Sequence, residues 1–320
     1  MLHAFLAQEV PRGQLRQVVE ERFARVKDQM SGDGNPVVLS HCLAGSSEVS
    51  VTLPHGVRAI VRYLPNRQAL QPQSVSPGHP NWGVLLWFAL ADAPAYPYLV
   101  KPRRRPNTER HLTLVDPQQN AQKLQHLNQL RAATLFLFGI GPGYSGIFNE
   151  TAAGEPQSLH FQYFGEPLPL WTELEGGRVT VANRHTVSFG VSVGELSGWP
   201  FTAPVFESTD PEALAGAVWE EIERYRSGTP SGSGLTCTTD LLLSHSDDGM
   251  LRLIAVRRDW NKRQPKSFYG DCAAFGNFGG LELCGLVMTI KAETAFQALA
   301  TDPSTLAKNL DEALRETSTL

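Results

Sequence analysis

A histidine and a glutamine two residues apart, within SLHFQYF at 158–164, are the residues of this chain best suited by type and spacing to chemistry. In an extended strand, His160 and Gln162 project from one face, and the apolar residues between them project from the other. The apolar set can bury itself against a core. The polar face has two interpretations, a solvated surface or a reactive imidazole with an amide beside it.

The reactive interpretation corresponds to a defined chemistry. A neutral imidazole is a good nucleophile toward phosphorus near pH 7, and it can leave again in a second transfer. Gln162 could donate an amide N–H to the phosphate under attack, and a donor aimed at developing charge is worth about 3 kcal/mol in other enzymes. The pair therefore favours transfer of a phosphorus-bearing group through a covalent intermediate.

A glycine-rich segment, GPGYSGIFNETAAGEPQ at 141–157, leads directly into this stretch. Such loops bring backbone N–H groups close to phosphate oxygens, although a flexible turn can have the same composition. No Gly-Lys-Ser/Thr follows, so the segment is not a P-loop, and Gly143-Tyr144-Ser145-Gly146 lacks the spacing of a nucleophile elbow. We expect the loop to hold a phosphate.

A basic cluster follows a later strand. It comprises Arg257, Arg258, Lys262, Arg263 and Lys266. A solvated loop is the alternative interpretation. Because a polyphosphate needs neutralising charge and the 141–157 loop has no Lys or Arg, we expect the 257–266 segment to face the His160 strand across a cleft.

Periodicity gives the elements that must position these residues. HLTLV at 111–115 predicts a strand that begins with His111, a residue that could orient a phosphate. The segment 116–133 predicts a helix with Asp116 as N-cap, and TLFLFGI at 134–140 predicts a buried strand. The remaining predictions are helices at 12–30, 210–228 and 302–317, strands within 49–65 and at 281–290, a strand or short helix at 82–90, and a hairpin at 237–258.

Composition limits the function classes. The 320 residues carry a formal net charge of -4, so no basic excess indicates nucleic-acid binding. No apolar run reaches the roughly 18–20 residues that span a bilayer, and no signal peptide is evident, so we expect a cytoplasmic protein without a membrane partner. The four cysteines have no CxxC spacing, which argues against disulfides and thiolate zinc, and we expect neither metal nor cofactor.

The stretch FNETAAGEPQSLHFQYF at 148–164 resembles the active-site strand of the histidine-triad superfamily. It is most similar to the branch that contains galactose-1-phosphate uridylyltransferase, diadenosine tetraphosphate phosphorylase and the GDP-hexose phosphorylases. That branch has an Asn/Gly-rich loop and then His-x-His-x-Gln, in which the second histidine is the nucleophile. His160 and Gln162 match the pattern. Ser158 replaces the first histidine, which in some relatives binds a structural metal or orients the nucleophile.

The resemblance implies an α+β fold of two histidine-triad-like modules, each an antiparallel sheet with packed helices. The boundaries we expect are a helical extension at 1–48, a catalytic module at 49–175 and a second module at 176–320. The implied substrate-binding residues are Asn149, Gly154, Ser158, His111 and the basic cluster Arg257, Arg258, Lys262, Arg263 and Lys266, around the catalytic His160 and Gln162.

The implied activity is that of a nucleotidyltransferase of the phosphorylase type. It would act on a nucleoside diphosphate sugar or a dinucleoside polyphosphate through a nucleotidyl-histidine, with inorganic phosphate or a sugar phosphate as acceptor. Ser158 favours one alternative, a nucleotide-binding protein that has lost catalysis, and a nucleotide hydrolase is another. The sequence leaves the base, the sugar and the oligomeric state open, with a homodimer as one option.

Overall fold

The computed structural model describes residues 14–32, 45–64, 85–90, 92–103, 107–150, 158–228, 237–259, 278–289, 297 and 300–318. Within these residues the helices are α1 (Leu15–Gly32), α2 (Leu127–Ile140), α3 (Pro169–Glu175), α4 (Pro211–Gly228), α5 (Gly280–Leu283) and α6 (Pro303–Ser318). The strands are β1 (Ser47–Thr52), β2 (Arg58–Tyr63), β3 (Leu86–Leu90), β4 (Ala93–Pro102), β5 (His111–Asp116), β6 (Ser145–Phe148), β7 (Leu159–Phe164), β8 (Thr180–Thr186), β9 (Ser192–Ser197), β10 (Pro204–Ser208), β11 (Cys237–His245), β12 (Leu251–Asp259) and β13 (Leu286–Thr289). None of the helices described is long and apolar enough to cross a membrane.

Ten of these strands form one antiparallel sheet in the order β3-β4-β5-β7-β6-β11-β12-β10-β9-β8. The order divides at β6–β11 into two halves with the same topology. Each half is a hairpin, a third strand, a helix that crosses over, and a final pair of strands, with α2 as the helix of the first half and α4 as that of the second. This repeat supports the expected α+β architecture of two modules, whereas the module boundaries remain a prediction.

A smaller three-stranded sheet joins an early and a late segment of the chain. Strand β2 pairs antiparallel with β1 and parallel with β13, so that the C-terminal region completes a sheet begun near the N-terminus. Together with α3, α5 and α6, this sheet contributes to an apolar core on one face of the ten-stranded sheet. Helices α1, α2 and α4 contribute to a second core on the opposite face.

Strand β7 separates these two cores. Phe161 and Tyr163 belong to the helix-covered core, where the Tyr163 hydroxyl donates to the Ala133 carbonyl of α2 at 2.9 Å. On β6, Gly146 pairs with Tyr163 and leaves room for its ring, because a Cβ at residue 146 would lie 3.1 Å from the Tyr163 ring. His160 and Gln162 project from the other face, which we call the His160 face.

Several sequence predictions are confirmed. Strands flank the turn at 53–57, the chain is extended at 86–90, a hairpin spans 237–259, and helices lie at 15–32, 211–228 and 303–318. The prediction for 281–290 is right in part, because the short helix α5 occupies Gly280–Leu283 and strand β13 begins only at Leu286.

The predictions between 116 and 140 are right only in part: 127–133 is helical as expected, whereas 116–126 is not helical and 134–140 continues the helix instead of forming a strand. Asp116 does not cap a helix: its carboxylate accepts the Gln118 N–H at 3.0 Å and closes a turn. The helix α2 begins at Leu127, where the Gln129 side chain accepts the His126 N–H at 3.3 Å. The apolar run at 134–140 is the second half of this helix. This run is apolar throughout because α2 packs against helices and against the sheet. A short apolar run does not distinguish a buried helix from a buried strand.

Candidate active site on strand β7

His160 lies near the start of β7 with 2% of its surface exposed. Its Nδ1 is 3.0 Å from the Ser158 carbonyl oxygen. A carbonyl only accepts, so the hydrogen of the neutral ring lies on Nδ1, and the lone pair lies on Nε2. The atom of this imidazole that can act as a nucleophile is therefore Nε2.

This contact changes the interpretation of Ser158. The oxygen that holds His160 is the main-chain carbonyl of residue 158, which every amino acid has. Replacement of a histidine by serine at this position does not remove it. If the first histidine of the pattern orients the nucleophile, the backbone can supply an orienting contact here without it.

Gln162 is oriented by His111 on the neighbouring strand β5. The His111 Nδ1 accepts the Asn107 backbone N–H at 3.1 Å, so its Nε2 carries the hydrogen and donates to the Gln162 Oε1 at 2.9 Å. The oxygen end of the amide is thereby directed to His111, and the NH2 end is directed away from it. Through the contacts from Asn107 to His111 and from His111 to Gln162, the NH2 group of Gln162 is available as a donor on the His160 face.

His111 is thus placed differently from its predicted role. It is 0% exposed, and its ring packs against Phe164 with the centroids 4.5 Å apart. Because both ring nitrogens have protein partners, a direct contact with phosphate is not supported. The structure places His111 behind Gln162, where it orients the amide.

Asn149 follows β6 and is 8% exposed. Its Oδ1 accepts the Gly280 backbone N–H at 2.6 Å, at the start of α5. Cβ atoms at Gly279 and Gly280 would both come 2.9 Å from the Asn149 amide, so glycine at these positions permits the approach. Asn149 therefore connects the loop before β7 to the C-terminal region. The predicted phosphate ligand Gly154 lies outside the described residues.

Of the predicted basic cluster, Arg257 and Arg258 lie within the described residues, and neither contacts His160 as expected. Arg257 projects from the opposite face of the sheet, where its guanidinium contacts Glu221 of α4 and lies 4.8 Å from the centre of the Tyr225 ring. This placement contradicts the predicted role of Arg257, because adjacent residues of a strand point to opposite faces. Lys262, Arg263 and Lys266 lie outside the described residues.

Arg258 does share the His160 face, but its charge has another partner. Arg258 and Asp240 are both 0% exposed and form an ion pair at 2.5 Å. Three strand spacings separate β12 from β7, which corresponds to about 14 Å between backbones. The predicted contact of Arg258 with the phosphate at His160 is therefore not supported, and the side chain instead neutralises a buried carboxylate.

Glu150 lies at the junction of the two halves of the sheet. Its carboxylate accepts the Thr239 N–H of β11 at 2.8 Å and contacts Arg226 of α4 at 3.2 Å. Burial raises the pKa of the Glu150 carboxyl, although the Thr239 N–H and the Arg226 charge act in the opposite direction. Within the part of the chain that the structure describes, no group of three or more His, Cys, Asp or Glu residues could hold a metal ion.

Sequence reasoning missed several residues that build this site. The Gln122 side chain contacts the His160 backbone, Asn107 fixes the His111 tautomer, and Gly280 receives Asn149. Two of these contacts use only a backbone group of the residue, so side-chain identity gave no signal. Gln122 lies in the first part of the predicted 116–133 helix, and this part is not helical.

No protein-family model matches the chain, and no curated protein matches it. Among solved structures, the yeast Ap4A phosphorylase Apa2 superposes with a TM-score of 0.64 at 18% identity, over 95% of this chain and 94% of that chain. Its complexes with Ap4A and with AMP give TM-scores of 0.65 and 0.63 at 16% identity, over 95% of this chain and 97% and 96% of theirs. The expected likeness to the branch that contains diadenosine tetraphosphate phosphorylase is confirmed at the level of the fold.

Proposed function

We propose that this chain is a nucleotidyltransferase of the phosphorylase type that works through a nucleotidyl-His160 intermediate. The observation that carries the proposal is the contact of the His160 Nδ1 with the Ser158 carbonyl, which leaves Nε2 as the nucleophile. The fold likeness over almost the whole length of an Ap4A phosphorylase makes a dinucleoside polyphosphate the substrate class we favour. A nucleoside diphosphate sugar is the second class.

In the first step the Nε2 lone pair attacks the α-phosphorus. A P–N bond forms, and the bond from that phosphorus to the oxygen bridging to the β-phosphorus breaks. The leaving group is a nucleoside triphosphate from a dinucleoside tetraphosphate, or a sugar phosphate from a nucleoside diphosphate sugar. In the second step an oxygen of inorganic phosphate attacks the same phosphorus, the P–N bond breaks, and a nucleoside diphosphate leaves.

The residues around His160 support both steps. A ring that carries phosphorus on Nε2 and hydrogen on Nδ1 is a cation, and the Ser158 carbonyl that accepts the Nδ1 hydrogen stabilises that charge. The Gln162 NH2 group, turned away from His111, is placed to donate to an oxygen of the phosphate. We assign the catalytic roles to His160 and Gln162. We retain Asn149, Gly154 and the main chain of Ser158 as the phosphate loop, and the cytoplasm as the location.

The first alternative, a binding protein that has lost catalysis, rests on Ser158. The structural observation that weakens it is that the contact of residue 158 with the nucleophile is made by the main chain. The second alternative, a hydrolase, differs only in the acceptor of the second step. Both alternatives are distinguished from the proposal by following the covalent intermediate.

The test is intact-protein mass spectrometry after a ligand screen. A thermal-shift screen over Ap4A, GDP-sugars and UDP-sugars identifies a bound nucleotide, because a ligand of the folded state stabilises it by mass action. The protein is then mixed with that nucleotide. We expect a nucleoside monophosphate adduct that disappears when phosphate is added and that does not form in His160→Ala. Binding without an adduct contradicts the proposal, and loss of the adduct to water as fast as to phosphate indicates the hydrolase.

A further inference from the structure

Gln122 makes an unusual pair of contacts with the residue that we propose as the nucleophile. Its Oε1 accepts the His160 backbone N–H at 2.8 Å, and its Nε2 donates to the His160 backbone carbonyl at 2.9 Å. Gln122 as a whole is 6% exposed. One side-chain amide therefore holds both main-chain polar groups of His160.

This pair of bonds is the one that a residue of a neighbouring antiparallel strand would make. The register between β6 and β7 ends at the pair Ile147–Gln162, two residues after His160 in β7. Buried backbone N–H and C=O groups need partners, and Gln122 supplies them where this pairing has stopped. The amide completes the sheet at His160 in place of a strand.

The segment that carries Gln122 is itself fastened at both ends. It connects β5 to α2, and Gln129 of α2 bridges across it. The Gln129 Nε2 donates to the Asp116 carboxylate at 3.0 Å, and its Oε1 accepts the Gln125 N–H at 2.8 Å. The adjacent Leu124 is 1% exposed within the helix-covered core. Gln122 is thus presented to His160 by a segment with few degrees of freedom.

We infer that Gln122 is a positioning residue for His160. By fixing the His160 peptide groups, it fixes the direction in which the ring leaves the strand, and so it maintains the Nδ1 contact with the Ser158 carbonyl. The tautomer that has its lone pair on Nε2 depends on this contact. The structural part of the inference stands on the geometry alone, whereas its catalytic consequence rests on the proposed function.

The test uses Gln122→Met, which keeps the size of the side chain and removes both hydrogen bonds. Gln125→Met is the matched control, because Gln125 lies in the same segment with an exposed side chain. Gln122→Asn, which keeps the amide but is shorter by one methylene group, replaces Gln122→Met if that variant does not fold. The first measurement is 15N NMR of the histidine side chains, with the His160 signal assigned by its loss in His160→Ala.

We expect the wild type and Gln125→Met to have His160 in the Nδ1–H tautomer and Gln122→Met to have averaged 15N shifts that indicate a mixture of tautomers. The second measurement is the single-turnover rate of adduct formation. Misplacement of a reacting group by about 1 Å can cost about 100-fold, so we expect a loss of about 10- to 100-fold in Gln122→Met, with the nucleotide dissociation constant within about threefold.

Wild-type shifts and rate in Gln122→Met would overturn the inference, as would an equal loss in Gln125→Met. A wild type that binds nucleotide without forming an adduct refutes the proposed function instead. In that case the NMR comparison alone decides whether Gln122 positions His160.

Discussion

The two halves of the ten-stranded sheet have the same strand order but place different chemistry on the His160 face. In the first half, strands β5 and β7 carry His111, Gln162 and His160 on this face, in successive register pairs. In the second half, the corresponding strands carry Val205, Ile254 and Val256, which are buried in the apolar core, and the Arg258–Asp240 ion pair. One topology thus supports a polar His160 face in one half and a packed, charge-neutralised face in the other.

The register makes this contrast direct. Gln162 of β7 lies in the same row as Ile147 of β6, Leu242 of β11 and Ile254 of β12. Along a single line across the sheet, polar character ends at the boundary between β7 and β6. Substitutions in the two halves should therefore affect different quantities: rate in the first half and stability in the second.

The largest expected effect is on stability, at Arg258. Arg258→Met leaves Asp240 buried without its charged partner, and loss of one member of a buried pair typically costs about 3–5 kcal/mol. The double variant Asp240→Leu/Arg258→Met removes both charges, and we expect it to recover most of that loss. Urea unfolding measures both. A double variant as unstable as the single one would show that the pair is not the cause.

The next effect compares two residues of one row. Removal of a donor that acts on developing charge costs about 100- to 1,000-fold in rate, and we expect this of Gln162→Ala with nucleotide binding largely kept. Ile254→Ala should instead cost about 2–5 kcal/mol of unfolding free energy and leave the rate of adduct formation unchanged. Single-turnover kinetics and urea unfolding of both variants test whether rate and stability are affected separately. A rate loss in Ile254→Ala as large as that in Gln162→Ala would contradict this expectation.

A smaller effect concerns Glu150, which joins the two halves. Burial raises the pKa of Glu150 in the folded state, so the folded state binds this proton more readily than the unfolded state does. The free energy of unfolding therefore falls as the pH rises from the unfolded-state pKa of this carboxyl through its folded-state pKa. Glu150→Gln can keep the Thr239 contact and cannot ionise. We expect it to be more stable than the wild type at pH 7, with the difference shrinking toward pH 4. A difference that is independent of pH would contradict the shift.

The smallest effect is expected at Ser158. The contact with the His160 Nδ1 uses the main-chain carbonyl, which Ser158→Ala retains. We expect adduct formation within about twofold of the wild type, since substitutions away from buried or catalytic contacts usually change free energies by about 0.5 kcal/mol or less. A rate as low as that of Gln162→Ala would mean that the hydroxyl, and not the carbonyl, acts on the site.

The sequence predicted what depends on local pattern. The alternation at 158–164 placed His160 and Gln162 on one face, and the hairpin at 237–259 followed from its turn. The sequence did not predict which side chains contact each other in the tertiary structure. Arg257 and Arg258 were predicted to act as one cluster because they are adjacent in sequence. Adjacent residues of a strand point to opposite faces of the sheet, so the two guanidinium groups contact different partners. Gln122 was missed because Asp116–Pro117 resembles a helix start and forms a turn instead.

The site of phosphorus attachment tests the central claim most directly. The protein is labelled with 15N-histidine, mixed with the nucleotide identified in the screen, and examined by 31P–15N correlation before phosphate is added. The account predicts phosphorus bonded to Nε2 of His160, with the hydrogen retained on Nδ1 by the Ser158 carbonyl. Phosphorus on Nδ1, on another histidine of the chain, or on no residue at all would contradict it.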